Sequence, residues 1–144
     1  MPSIRRSALM PYSAQIMFEV VNNVAEYPEF LPWCAEVKIK AQSEGCMEAS
    51  ILMRKASVNH WFTTKNTIEL NKKIEIALVD GPFKRLDGVW EFIELDPQAS
   101  KIKLELNFEF SLGIGTALIA PVFTRIANTL VDSFCARADQ VARA

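Results

Sequence analysis

The hydrophobic positions of this chain change period twice. Pro2 to Met10 is a short apolar-polar segment closed by Pro11 and reads as a strand. Ser13 then offers its hydroxyl to an unpaired amide of a first helical turn, the usual role of an N-cap. Tyr12 and Met17 stand at the spacing of a hydrophobic staple, and Ile16, Val20 and Val24 recur every four residues, which gives the helix one apolar stripe. Pro28 disfavours helical geometry at Tyr27, so this helix is expected to stop near Glu26. A second short helical turn is expected around Glu29 to Pro32.

From Cys34 to Phe110 the period is two. Val37, Ile39 and Ala41 alternate with Lys38 and Lys40; Met47, Ala49, Ile51 and Met53 with Glu48 and Ser50; Ile74, Ile76 and Leu78 with Glu75 and Ala77. In the cleanest run, Ile102, Leu104, Leu106, Phe108 and Phe110 face one way while Lys101, Lys103, Glu105, Asn107 and Glu109 face the other. Strict alternation describes strands with one dry and one wet face, the pattern of an antiparallel sheet. Turn signals at Ser43–Gly45, Asn71–Lys73, Asp80–Pro82 and Asp96–Ser100 help divide the region into six strands.

The last segment returns to the helical period. Ile119, Phe123, Ala127, Leu130, Phe134, Ala138 and Val141 recur three or four apart, with Arg125, Asp132 and Asp139 off the stripe. This predicts an amphipathic helix of about 25 residues, with Pro121 in its first turn or kinking it. The fold class is therefore α+β, in the order strand, helix, short helical turn, six strands, long helix. Seven antiparallel strands with an apolar face need a cover, and the C-terminal helix is the element long enough to supply it. A straight helix cannot fill a curved sheet, so space remains between them unless large side chains close it. Trp90 and Phe92 on one strand, Phe108 and Phe110 on another, and Phe123 and Phe134 on the helix are the candidate lining. Each taken singly is better explained as core, while collectively some of them are expected to line a pocket.

Composition narrows the chemistry. The chain has 144 residues, half of them hydrophobic, with 16 basic against 17 acidic side chains and a formal net charge of −1. That suits a single domain over residues 1–144 with a real core and excludes a bulk polycation. Cys34, Cys46 and Cys135 form no C-x-x-C pair, which argues against a disulfide framework or a zinc site and suits a reducing cytoplasm. The N-terminal stretch has no apolar run long enough for a signal peptide. The longest apolar-looking segment, Leu112 to Phe123, is broken by Gly113, Gly115, Thr116 and Pro121 and falls short of the ~20 residues that span a bilayer.

Several strings carry a resemblance: Tyr27-Pro28-Glu29-Phe30-Leu31-Pro32-Trp33-Cys34 after the first helix, Phe62-Thr63-Thr64-Lys65-Asn66 in mid-sheet, Leu78 to Leu86 leading into Gly88-Val89-Trp90-Glu91-Phe92, Phe108-Glu109-Phe110, and Phe134-Cys135-Ala136-Arg137-Ala138. In combination, over nearly the whole chain, they resemble the coenzyme-Q-binding START-like family, related to polyketide cyclases, and within it the bacterial ribosome association toxins. The resemblance implies a helix-grip fold whose groove holds a hydrophobic ligand, ubiquinone or a similar isoprenoid lipid, without chemistry on it and without a required cofactor or metal. It further implies support of respiratory electron transport, binding to the large ribosomal subunit with interference in subunit joining, a cytoplasmic location with transient contact at the inner membrane, and no DNA partner. A cyclase-like enzyme or another lipid carrier is the alternative. By motif, Pro82, Phe83, Lys84 and Leu86 are expected at the groove mouth with Trp90 behind. The expected ligand-binding set is Phe62, Phe83, Lys84, Leu86, Trp90, Phe92, Phe108, Phe110, Phe123, Ala127 and Leu130.

Catalytic candidates are few. His60 is the single imidazole and shares a strand face with Val58 and Phe62; a general base would need an orienting carboxylate, so a polar rim position is the expectation. No cysteine has a recognisable partner for nucleophilic work. Gly113-Ile114-Gly115 is too short for a phosphate fingerprint and reads as a lead-in to the helix. Asp80 to Arg85 reads either as a plain hairpin loop or as a lid, with an exposed Phe83 touching ligand and Lys84 and Arg85 facing phosphate, headgroup or rRNA. Arg5-Arg6, Arg54-Lys55 and Lys72-Lys73 read as solvated surface unless the fold brings them together.

Overall fold

The computed structural model describes residues 3–111 and 114–143, and in its last helix the side chains of residues 118–142. Strand β1 (Ser3–Met10) is followed by helix α1 (Ala14–Asn22), a single 3-10 turn (Val24–Glu26) and the short helix α2 (Tyr27–Phe30). Strands β2 (Cys34–Ser43), β3 (Cys46–Lys55), β4 (Val58–Glu69), β5 (Lys73–Asp80), β6 (Phe83–Asp96) and β7 (Ala99–Phe110) come next, and helix α3 (Ile114–Arg143) closes the chain. The sheet order is β1-β7-β6-β5-β4-β3-β2, antiparallel throughout. β2 to β7 form successive hairpins. β1 instead joins the far edge, pairing from Ser3↔Asn107 to Met10↔Ser100. β1 and β2 therefore lie at opposite edges, and α1, the 3-10 turn and α2 carry the chain between them. This is the helix-grip arrangement: a sheet whose apolar face is held against one long helix.

The core lies where the inward faces of β3 to β7 meet α1 and α3. Met17, Met53, Ile102, Phe108 and Ala127 are fully buried there. α3 contributes Ile119, Phe123, Ile126, Ala127, Val131, Phe134 and Ala138, an i, i+4, i+7 stripe of the amphipathic kind. Ser13 caps α1, its Oγ accepting the Ile16 amide at 3.2 Å. Ser13→Ala is expected to lower unfolding stability by about 1 kcal/mol. An unchanged urea midpoint would show that the cap adds nothing in this context.

Several local expectations change. α1 stops at Asn22 rather than Glu26, and Pro28 sits inside the first turn of α2, where its missing N–H costs no bond. The buried face of α1 is Met17, Phe18, Val20 and Val21, with Ile16 only half-buried, because the helix packs against both β6–β7 and α3. α3 is 30 residues long and begins at Ile114, so Pro121 lies well inside it, on an exposed position. Of the glycine lead-in, Gly113 lies outside the described residues, and Ile114 and Gly115 already belong to α3. Leu130 is half-buried and Val141 exposed, off the buried stripe. On the edge strand β2, Val37 is half-buried and Ile39 and Ala41 are exposed despite their alternation. The turn between β3 and β4, Ala56-Ser57, carries no glycine, proline or asparagine and takes its positive φ at Ala56.

Candidate functional site

Sheet and helix do not close completely on one another. A cavity of about 100 Å³ remains between them. Ala49 and Ile51 from β3, Phe62, Thr64 and Asn66 from β4, Ile76 from β5, Leu86 and Trp90 from β6 and Leu106 from β7 form its sheet side. Phe123, Ile126, Leu130 and Phe134 of α3 form the helix side, and Val24, Tyr27 and Trp33 bound it from the connecting arm. Strand alternation sends each sheet residue inward. Gly88, between Leu86 and Trp90 on β6, has a local reason for lacking a side chain: a Cβ there would meet the Glu105 carbonyl at 2.6 Å and Leu106 Cδ1 at 2.8 Å. Leu106 thus leans over Gly88 as it reaches the cavity wall.

Aromatic rings shape the site in two groups. Phe134 meets Trp90 at 5.3 Å, Tyr27 at 5.2 Å and Phe30 at 5.5 Å between ring centroids. Phe123 meets Phe83 at 4.8 Å, Phe108 at 5.1 Å and Phe110 at 5.8 Å. These edge-to-face contacts orient the rings more firmly than aliphatic packing would.

Of the residues expected from the sequence, Phe62, Leu86, Trp90, Phe123 and Leu130 of the ligand-binding set and Phe134 of the aromatic lining border the cavity. Phe92, Phe108, Phe110 and Ala127 are not among its lining residues; Phe92 packs against Phe18, and Phe108 and Phe110 pack against Phe123. Phe83 is a correction. It is not an exposed lid residue but opens β6, 5 % exposed, opposite Phe110 and packed on Phe62 and Phe123. The turn before it is made by Gly81, at φ +151°, where a Cβ would meet Phe62 Cβ at 2.8 Å. Lys84 is a second correction: its side chain is 72 % exposed and turned away from the cavity, with Nζ 3.9 Å from Glu109. Tyr27, Trp33, Thr64 and Asn66 were legible only as parts of the resemblance strings. Val24, Ala49, Ile51, Ile76, Leu106 and Ile126 carried no signal beyond an inward position.

The polar atoms of the lining are mostly committed. The Tyr27 hydroxyl donates to the Val21 carbonyl. Burial first, and Cys34 second, push its ionisation far above the ordinary tyrosine value, so it stays a neutral donor. Thr64 Oγ1 donates to Asn66 Oδ1 at 3.4 Å. Among the described residues the lining contains no aspartate, glutamate, histidine, lysine or arginine. His60 is exposed, two residues before Phe62. Cys34 is buried, and burial pushes its thiol up to about 11, against a small lowering by its contact to the Glu36 carbonyl. At pH 8 Cys34 is therefore expected to resist iodoacetamide in the native protein and to react on unfolding, as read by mass spectrometry of labelled peptides; rapid native labelling would show that the strand start opens.

The space is small. Ligand pockets commonly enclose about 300–1,000 Å³, whereas this volume suits about three waters at ~30 Å³ each. A larger ligand needs more room than this cavity provides as it stands. The arm is fastened by Arg137, whose Nη2 lies 3.2 Å from Glu26 Oε2 and whose guanidinium carbon lies 4.9 Å from the centre of the Phe30 ring. Tyr12 donates to Asp139 Oδ1 at 2.6 Å on the same helix.

The opposite sheet face is charged but largely self-neutralised. Glu69, Lys73, Glu91 and Lys103 follow one another across β4 to β7 in register. Arg85 Nε bonds Asp87 Oδ2 at 2.6 Å, and this bond, helped by Asn107, holds the Asp87 carboxyl below its ordinary range. Arg5 lies 3.4 Å from Glu105. The basic pairs do not gather: Arg5-Arg6 lies at the β1 edge, Arg54-Lys55 at the end of β3, and Lys72-Lys73 at the start of β5. Among the described residues no group of three His, Cys, Asp or Glu comes together as a metal site, and no helix is long and apolar enough to cross a membrane.

Residues 10–135 match the family described as polyketide cyclase / dehydrase and lipid transport. The chain is 45 % identical over 138 residues to the ribosome association toxin RatA of Pseudomonas aeruginosa, covering 96 % of each chain. It is 24 % identical to the mitochondrial coenzyme Q-binding protein COQ10 of Dictyostelium discoideum, over 92 % of this chain and 66 % of that one. Among solved structures, the Zhui aromatase/cyclase of a Streptomyces species shares the fold with a TM-score of 0.86 at 15 % identity, over 99 % of this chain and 96 % of that one.

Proposed function

The chain belongs to the polyketide cyclase / dehydrase and lipid transport family, and from that premise we propose that it is a non-catalytic carrier of a hydrophobic ligand, an isoprenoid quinone of the ubiquinone type. The observation that carries this reading is the uncharged, aromatic-walled cavity between the sheet and α3. Cyclase chemistry needs an acid or base at the reacting atoms. Among the described residues the lining supplies a tyrosine held neutral and no other titratable side chain. Apolar burial is worth about 25 cal/mol per Å², so roughly 300 Å² of ring and tail would return about 7 kcal/mol toward moving the helix off the sheet. Phe62, Leu86, Trp90, Phe123 and Leu130 would touch the ligand, while Phe83, Phe92, Phe108, Phe110 and Ala127 would hold those rings in place. The resemblance to a coenzyme Q-binding protein supports the choice of ligand. Such a carrier would serve respiratory electron transport from the cytoplasm, touching the inner membrane transiently to load and unload.

A second role uses the outer surface. The RatA relative is named for ribosome association, and we extend that partner, the large ribosomal subunit, to this chain. Lys84 and Arg85 are the proposed contacts, although each must first give up an acidic neighbour, Glu109 or Asp87. Contact with rRNA phosphates would weaken steeply with salt. Solvent extraction of the purified protein followed by mass spectrometry tests the first role, with a stoichiometric quinone as the expected result. Protein devoid of quinone that also fails to take one up from vesicles would overturn it. Co-sedimentation with large subunits at rising salt tests the second; sedimentation of a Lys84→Glu/Arg85→Glu variant equal to wild type would remove that loop from the contact.

A further inference from the structure

The inward positions of β4 are Val58, His60, Phe62, Thr64, Asn66 and Ile68. The corresponding positions of β3 are Met47, Ala49, Ile51 and Met53, and those of β5 are Ile74, Ile76 and Leu78. His60 is exposed near one end of β4, and Thr64 and Asn66 interrupt the apolar surface at its middle. In register, Asn66 lies between Met47 and Ile76, and Thr64 between Ala49 and Leu78. Half-burying an amide among such neighbours costs stability unless it finds partners. Local choices that work against the core mark positions kept for another purpose.

Their hydrogen bonding shows what that purpose is. Thr64 donates to Asn66 Oδ1, which engages the amide oxygen. Among the described residues the hydrogen bond of the Asn66 side chain is this one, to its oxygen, so the amide nitrogen is left to solvent or ligand, and Asn66 lines the cavity. Tyr27, the neighbouring hydroxyl of the lining, is already spent on the Val21 carbonyl.

We propose that Asn66, oriented by Thr64, is the polar anchor of the cavity and selects ligands whose ring bears a carbonyl oxygen able to accept its N–H. This rests on the carrier reading and adds a specificity to it: apolar area holds the tail, and the Asn66 amide distinguishes a quinone ring from a hydrocarbon of equal size. A carbonyl seated there accepts one N–H, while the ring lies against the aromatic wall. A hydrocarbon would leave the amide desolvated and unpaired.

The test compares a short-tailed benzoquinone with a hydrocarbon of the same shape lacking ring oxygens, binding being read by the fluorescence of Trp33 and Trp90, which line the cavity. Wild type is expected to prefer the quinone by about tenfold or more. Asn66→Leu should erase that preference while binding the hydrocarbon at least as well as wild type. Asn66→Asp, which removes the N–H donor and puts a carboxylate into the lining, should weaken both probes and lose the preference for the quinone. Thr64→Val, an isosteric change that releases the amide, should lose part of the preference with the fold kept, and it stands as the test if the Asn66 variants fail to fold. An unchanged quinone preference in a folded Asn66→Leu protein would overturn the anchor while leaving the cavity as a binding site. A wild type that binds neither probe would overturn the carrier reading and the anchor with it.

Discussion

Phe134→Ala is expected to lower the unfolding free energy by about 3–5 kcal/mol, the range for deleting a buried aromatic ring. Phe134 is 2 % exposed and is the ring through which α3 meets β6 and the connecting arm together, touching Trp90, Tyr27 and Phe30. Its loss removes edge contacts to all three and extends the existing cavity. For a chain of this size each kcal/mol shifts Tm by roughly 2–5 °C, so a fall of about 6–25 °C is expected in calorimetry. A fall of less than about 3 °C would mean that the neighbours collapse into the gap and that α3 is not anchored there.

Ala49→Leu is expected to lower ligand retention by about tenfold or more while leaving Tm unchanged or slightly raised. Ala49 is 2 % exposed, lines the cavity and lies opposite Thr64 on the neighbouring strand. Leucine adds apolar atoms into a space of about 100 Å³, so the usual overpacking cost of about 1–3 kcal/mol is relieved by the void. The same atoms occupy the volume that a ligand must enter. Quinone recovered per mole of purified protein, set beside a melting curve, is the measurement. Full retention in a stably folded variant would place the ligand elsewhere on the molecule. Read together, the two substitutions separate the packing role of the site from its binding role, since the first enlarges the space and the second fills it.

The sequence resolves this fold well where long-range context merely confirms local pattern. β7 follows its alternation from Ile102 to Phe108, each inward residue buried. Ser13 caps the helix that its position predicted. Legibility falls where a neighbouring element decides. Phe83 follows a Gly-Pro turn between exposed residues and two cations, which locally suggests an exposed ring; the register opposite Phe110 and the approach of Phe123 bury it. Val37, Ile39 and Ala41 alternate like a core strand, yet β2 is an edge, where Val37 is only half-buried and Ile39 and Ala41 stay exposed. Apart from Lys84, which faces solvent, the candidate set lies on inward positions but at different depths: Phe62 and Trp90 reach the cavity, whereas Phe92 and Phe108 stop behind it.

By itself the sequence determined the order of elements, the side of the sheet each strand residue faces, and a chemistry poor in catalytic groups. These follow from backbone periods of 2 and 3.6, which are local properties of the chain. The cavity was decided by tertiary structure alone. Its size depends on the separation of α3 from the sheet, and residues distant in the chain set that separation: Arg137 fastened to Glu26, Phe134 wedged against Trp90, and Leu106 leaning into the place that Gly88 leaves open. Periodicity states which way a side chain points. Whether it meets another side chain or an empty space is fixed by what arrives from the opposite layer.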